Sequence, residues 1–93
     1  MAKALQVPLG RLLATPGALE ALRPSGLTAL DLIARHGACD WGDLCGSDWE
    51  ANDRSLENGS RLLSAYRLDT GEKLWVITEA DRSATTILLP SEY

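Results

Sequence analysis

The sequence predicts an α+β domain in which two or three short helices precede a three-stranded antiparallel β-meander. Helix start and stop signals fall in the first two-thirds of the chain, before about residue 60. After that point the apolar residues form three short runs separated by turn-forming residues. A chain of 93 residues has room for only one core. Residues 1–93 are therefore expected to form a single domain.

The first and third predicted helices have clear boundary signals. Thr15 followed by Pro16 is typical of an N-cap and the first helical residue, which predicts a helix over residues 16–22. Ser47 or Asp48 is expected to cap a third helix that ends near residue 57, before Asn58 and Gly59.

The second predicted helix spans residues 28–36 and is followed by Gly37, a typical C-terminal glycine. His36 falls in its last turn, where the helix dipole favours the cationic imidazole. Apolar side chains at three- and four-residue spacing form the expected buried face. These are Leu27, Leu30, Ile33 and Ala34.

The three predicted strands are residues 61–68, 73–79 and 84–90. The middle run is apolar on both faces, which favours the central position of the meander. Residues 5–14 contain Pro8, which cannot donate to a central ladder. That segment is expected to be an extended lead-in or a fourth, edge strand of an antiparallel sheet.

Composition and charge exclude several classes of function. The chain is 45% hydrophobic and 24% charged, as in ordinary globular proteins, and its net charge is −4. An acidic domain does not attract nucleic acid through its overall field, although a local basic site remains compatible with this charge. No apolar run is long enough to span a bilayer, and no export signal is visible. We expect a cytoplasmic protein without membrane contact, whose cysteines are reduced.

Several segments together support a family resemblance. They are Arg35-His36, Asp40-Trp41-Gly42, Ser64-Ala65-Tyr66, Gly71, residues 75–83, residues 85–90 and Glu92-Tyr93. With them the chain resembles a widespread family of small uncharacterised bacterial proteins, often encoded on plasmids or mobile elements. Its members are labelled plasmid-related or type I restriction subunit M. The resemblance covers nearly the whole chain and implies no specific activity, because a restriction modification subunit is a far larger methyltransferase.

The leading candidate site is the polar turn of residues 78–86. Its candidate binding residues are Glu79, Asp81, Arg82, Ser83 and Thr86. This density of polar side chains exceeds what a hairpin needs, and it favours a noncatalytic binding or regulatory module. Such a module would act through the terminal sheet and the turn around Arg82. The structural alternative is that Asp81 or Ser83 caps the turn while Arg82 pairs with Glu79.

A second hypothesis is a metal-independent ribonuclease. Its catalytic candidates are His36, Arg61, Tyr66 and Arg82, with Ser64 and Thr86 nearby. RNA cleavage needs a base, an acid and cations for the charge on phosphorus, which these side chains could supply. The order of elements is similar to that of the barnase-like and RelE-like toxins. Alternatively, His36 caps a helix end and the arginines pair with neighbouring acids.

Two further groups of residues are candidate sites. His36, Cys39 and Cys45, with Asp40 or Asp43, have zinc-competent side chains but lack a paired ligand spacing, so we expect neither a metal nor a cofactor. The tryptophans 41, 49 and 75 could stack on bases or fill a partner's groove. Core packing is the more ordinary role, above all at residue 41. A protein or an RNA partner is compatible with these residues.

Overall fold

A computed structural model describes residues 7–93 of the chain. These residues form three α-helices and one four-stranded sheet, which confirms the α+β class. The helices are α1 (Pro16–Leu22), α2 (Ala29–Gly37) and α3 (Gly46–Asn58). The strands are β1 (Arg11–Ala14), β2 (Leu62–Arg67), β3 (Lys73–Thr78) and β4 (Ala84–Leu88). Short 3₁₀ turns occupy Arg23–Ser25 and Pro90–Glu92.

The strand order in the sheet is β1-β4-β3-β2. The pairs β2–β3 and β3–β4 are antiparallel, so the predicted meander is present with β3 between its partners. The predicted segment of residues 5–14 lies within the described residues from residue 7 onward, and it contains β1. β1 pairs with β4 in parallel, so the fourth strand does not extend an antiparallel sheet. The predicted antiparallel pairing of the fourth strand was wrong. No hairpin joins β1 to β4, and the helices between them in sequence let the two strands run in the same direction.

Side-chain caps define the starts of the first two helices. The Ala18 N–H donates to Thr15 Oγ1 at 3.1 Å, as the Thr15-Pro16 signal predicts. At α2, Thr28 and Asp31 form a reciprocal capping box, in which each backbone N–H donates to the other's side chain. α3 begins at Gly46, slightly before the predicted start, and ends where Gly59 adopts φ 77°.

The buried face of α2 differs from the predicted one. Leu32, Ile33 and His36 are buried, whereas Leu30 is 65% exposed and Leu27 is 41% exposed. Ala34 is exposed as well. The predicted face left out position 36. Once position 36 is included, residues 29, 32, 33 and 36 follow the regular spacing of one helix face.

The sheet has two distinct faces. α1 and α2 cover one face, called here the inner face. The main core side chains between these helices and the sheet are Leu22, Leu32, Tyr66, Leu74, Val76 and Ile87. Because side chains alternate along a strand, every second residue of β2, β3 and β4 points to the opposite face, called here the outer face. These are Leu63, Ala65, Arg67, Lys73, Trp75, Ile77, Ala84, Thr86 and Leu88.

The edge of β2 that does not pair with β3 is covered by polar groups. The Asn52 side chain accepts from the Leu63 N–H at 3.1 Å and donates to the Leu63 carbonyl at 2.6 Å. Asp43 continues this cover, since its N–H donates to the Ala65 carbonyl and its carboxylate accepts from the Arg67 N–H at 2.9 Å. The edge facing α3 is therefore unavailable to another strand.

Within residues 7–93, no helix combines the length and the apolar character that a membrane crossing requires.

Candidate functional site

His36 lies at the centre of a buried hydrogen-bond network between α2 and the sheet. Its side chain is 0% exposed. Nδ1 lies 2.6 Å from Ser64 Oγ, and Nε2 lies 2.8 Å from Thr78 Oγ1. The Thr78 hydroxyl lies 2.8 Å from Thr85 Oγ1, which in turn donates to the Leu9 carbonyl at 2.7 Å.

The Leu9 carbonyl at the end of this network fixes the donor in each bond between Thr85, Thr78 and His36 Nε2. The Leu9 carbonyl can only accept a hydrogen bond, so the Thr85 hydroxyl must donate its single proton to it. Thr78 must then donate to Thr85 and accept from His36 Nε2–H. In the neutral imidazole, Nδ1 is left as the acceptor for the Ser64 hydroxyl. A neutral His36 protonated at Nε2 therefore gives each side chain of this network a hydrogen-bond partner.

Burial lowers the pKa of His36 from 6.5 to about 4, and the positive charge of Arg82 adds to this effect. The helix dipole was expected to favour the cationic form, and burial opposes this preference. The cost of removing the imidazolium from water outweighs the attraction of the helix C-terminus.

Tyr66 is also buried on the inner face. Its hydroxyl donates to the Asp40 carbonyl at 2.5 Å, and burial raises the pKa of Tyr66 well above its ordinary value. The Arg35 guanidinium lies 4.5 Å from the centre of the Tyr66 ring and pairs with the Asp40 carboxylate at 2.8 Å. Tyr66 thus fastens the loop after α2 to the sheet.

Arg82 joins the β3–β4 turn to the end of α3. Its guanidinium donates to the carbonyls of Ser60 at 2.7 Å and Ser55 at 2.9 Å, and to Glu79 at 3.2 Å. Its backbone has φ 61°, a left-handed conformation that is uncommon for a side-chain-bearing residue. The arginine therefore caps exposed carbonyls, including one in the last turn of α3, and bonds the Glu79 backbone.

The other residues predicted at this turn have separate roles. Asp81 Oδ1 accepts from the Ser83 N–H at 3.0 Å, which is the predicted turn cap. Hydrogen bonds from the Ser83 side chain and, secondly, its backbone lower the pKa of Asp81. The Ser83 carbonyl accepts from Arg11 N–H and so holds the start of β1. Glu79 is exposed, and Thr86 is half-buried on the outer face opposite Ile77.

The catalytic candidates do not share one open cleft. His36 and Tyr66 are buried beneath the helices, whereas Arg61 is exposed, with its guanidinium 5.2 Å from the Tyr93 ring. Arg82 is engaged by backbone carbonyls. Strand alternation already places residues 61 and 66 of the predicted strand on opposite faces, but the burial of His36 and the partners of Arg82 had no sequence signal.

A cavity of about 350 Å³ opens between α3 and the outer face of the sheet. Its lining is mostly apolar and includes half-buried Trp75 and Leu63. Leu44, Asp48, Ala51 and Asn52 complete it. Strand alternation alone would have put residues 63 and 75 on one face. The contribution of Leu44 and Ala51 had no sequence signal, because it depends on the position of α3.

An aromatic pair lies beside this cavity. The rings of Trp75 and Tyr93 meet edge to face with their centroids 5.6 Å apart. Arg61 stacks on Tyr93, so a cation borders the pair. The other two tryptophans serve packing: Trp41 is fully buried, and Trp49 is half-buried with its indole N–H donating to the Gly42 carbonyl at 3.3 Å.

The residues considered as zinc ligands have other partners or lie apart. Both ring nitrogens of His36 face hydroxyl groups, and the Cys45 thiol contacts Ser47 and Asp48. In the described part of the chain, no group of three or more histidine, cysteine or carboxylate side chains is arranged to hold a metal ion. Neither cysteine takes part in a disulfide.

Comparison with family models, curated proteins and solved structures finds no match to this chain. The resemblance to small plasmid-encoded proteins stays a prediction.

Proposed function

We propose that the protein is a noncatalytic binding module that holds an acidic segment of a partner protein on the outer face of its sheet. An apolar side chain of that segment would enter the cavity beside Trp75. Acidic side chains on either side of this anchor would face the basic residues of the same surface.

The cavity is the observation that carries this proposal. Its volume of about 350 Å³ suits a single anchoring side chain, and its apolar lining is half-exposed rather than sealed in the core. Tryptophan is enriched at the energetic centres of protein interfaces, because it buries a large area with few rotatable bonds. Trp75 lies at the junction of the cavity and the sheet face.

The charges around the cavity favour an acidic partner. Arg67 and Lys73 are cross-strand neighbours on the outer face, and Arg61 lies beyond Tyr93. Within residues 7–93 the only ion pair is Arg35–Asp40, so none of these three cations is held in a salt bridge. Rim charges of this kind guide encounter and orientation more than they add affinity.

The overall charge favours a protein over RNA as the partner. A net charge of −4 repels a phosphate polymer at long range, whereas a short acidic segment carries far less charge. The buried, fully bonded state of His36 gives the ribonuclease hypothesis no accessible base. The turn around Arg82 supports the binding surface indirectly, by fixing β4 against α3.

Selection from a phage-displayed library of random peptides tests this function. The wild-type protein should enrich peptides in which a leucine or an aromatic residue is flanked by Asp or Glu. Trp75→Ala should remove the enrichment. Arg67→Glu combined with Lys73→Glu should shift the flanking preference toward Lys and Arg.

The matched control is Arg23→Glu, an exposed charge reversal on the helical side of the molecule. It should leave the enriched peptides unchanged. An enriched set that Trp75→Ala does not alter would refute the proposed surface. Tight binding of a fluorescent single-stranded RNA, weakened by Trp75→Ala, would mean that the partner class is wrong.

A further inference from the structure

Within residues 7–93, nothing bonds to the outer edge of β1, in contrast to the covered edge of β2. Arg11 N–H donates to the Ser83 carbonyl and Thr15 N–H to the Ile87 carbonyl, as in a regular parallel ladder. The alternate residues, Leu12 and Ala14, therefore direct their N–H and C=O groups away from the sheet. Among the residues that the structure describes, none bonds these groups.

The side chains at this edge are unusually apolar for a free strand. Leu12 is 46% exposed and Leu13 is 44% exposed, and they point to opposite faces of the sheet. Natural edge strands are usually protected by charges, proline or a covering loop. β2 is protected in this way by Asn52 and Asp43, whereas no residue of the described part of the chain protects β1.

We propose that β1 pairs with β1 of a second copy of this chain, in antiparallel orientation, to form a twofold-symmetric dimer with a continuous eight-stranded sheet. This inference is independent of the proposed function, because it concerns the sheet edge rather than the outer face.

The outward-facing groups select one register. If the twofold axis passes beside Leu13, each Leu12 exchanges its N–H and C=O bonds with Ala14 of the other copy. Moving the axis to Leu12 would require Gly10 in the ladder, but Gly10 has φ 64° and cannot extend it. Moving it to Ala14 would pair Leu12 with Pro16, which has no N–H.

Charge complementarity at this register favours a second copy over an unrelated strand. Arg11 of one copy lies opposite Thr15 of the other. The Thr15 hydroxyl donates to Glu92 Oε1 at 2.6 Å, so a carboxylate lies beside the position that the incoming arginine would occupy. The arrangement occurs twice, once on each side of the axis. At the axis itself, the two Leu13 side chains meet.

Analytical ultracentrifugation over a concentration series tests the dimer. The wild-type chain should change from monomer to dimer between about 10 μM and 1 mM, as expected for a small interface. Leu13→Lys places two like charges opposite each other and should raise the dimer Kd by about tenfold or more. Leu30→Lys changes the net charge identically at an exposed helical site, and it should leave the Kd unchanged.

Disulfide trapping tests the register. In a background without Cys39 and Cys45, Leu13→Cys should form a crosslinked dimer on oxidation, because directly opposed residues without mutual hydrogen bonds have Cα atoms only about 4.5 Å apart. Leu12→Cys faces Ala14 of the other copy and should crosslink poorly. Circular dichroism confirms that each variant is folded.

Three outcomes would overturn this proposal. A wild-type chain that stays monomeric at about 1 mM excludes self-pairing and leaves the edge to a strand of another protein. Equal weakening by Leu13→Lys and Leu30→Lys would locate the contact elsewhere. Crosslinking through residue 12 rather than residue 13 would contradict the register.

Discussion

His36 Nε2 lies 2.8 Å from Thr78 Oγ1, a contact that joins the last turn of α2 to the central strand β3 across 42 residues of chain. The direction of the proton in this bond follows from the fixed acceptor at Leu9, which requires an N–H at Nε2. Burial lowers the pKa of His36 and so favours the neutral imidazole. The residue that most resembles a catalytic base in the sequence is therefore a structural connection between layers.

Acid should destabilise the fold through His36. The pKa of the buried imidazole is lowered from 6.5 to about 4, so between these pH values the unfolded chain binds a proton that the folded chain does not. This contribution to stability is present in full above pH 6.5 and is lost as the pH falls toward 4. The loss should reach about 3 kcal/mol.

Urea unfolding of the wild type and of His36→Gln, at several pH values from 7.5 to 4, measures this effect. Subtracting the two curves removes the contribution of the carboxylates, which also titrate in this range. A difference in unfolding free energy that stays constant across the range would contradict the assignment.

Removing the Thr78 hydroxyl should interrupt the buried hydrogen-bond network around His36. Thr78→Val leaves the His36 N–H without an acceptor and removes the donor to Thr85, at an expected cost of about 1–3 kcal/mol in unfolding free energy. Thr86→Val is the matched control on the neighbouring strand, and it should change stability by less than about 0.5 kcal/mol. Equal effects of the two substitutions in chemical denaturation would argue against the network.

Arg82 should contribute through both its guanidinium and its backbone conformation. Arg82→Ala removes the donors to Ser55 and Ser60 and should cost about 1–3 kcal/mol. Arg82→Gly loses the same bonds but relaxes the positive φ, so it should recover about 0.5–1 kcal/mol of that loss. If thermal denaturation finds both variants as stable as the wild type, Arg82 is ordinary surface.

Asn52 should protect the edge of β2. Asn52→Ala leaves both backbone groups of Leu63 without their side-chain partner, and it should cost about 1–3 kcal/mol. The opened edge should also increase aggregation, measured by light scattering during refolding. Glu50→Ala, on an exposed part of the same helix, should change neither property. A similar loss of stability in both variants would contradict the role of the Asn52 bonds, because Ala favours the helix at both positions.

The features of the fold that local chemistry specifies were predictable from the sequence. Thr15 with Pro16 marks the start of α1, and Gly71 lies in the turn between β2 and β3. Each signal lies within a few residues of the structure it determines. The parallel pairing of β1 with β4 has no such signal, because its partners are more than 70 residues apart in sequence.

The candidate site was predictable only in part. The sequence pointed to Arg82 as an important residue, but its partners Ser55 and Ser60 belong to a distant helix end. The sequence predicted only that the helix dipole favours a cationic His36. Its burial beside Ser64 and Thr78 could not be predicted, because packing alone brings these residues close. The cavity required the position of α3, and that position depends on side-chain bonds to the edge of β2.

The binding surface is tested most directly by NMR titration of the ¹⁵N-labelled protein with an acidic peptide from the selection. The proposal predicts that the shifted amides cluster at the cavity and the neighbouring strands, above all at Leu44, Ala51, Leu63 and Trp75. The Trp75 indole resonance should shift with them, while that of buried Trp41 stays in place. Shifts confined to α1 and α2, or to the surroundings of His36, would contradict binding on the outer face.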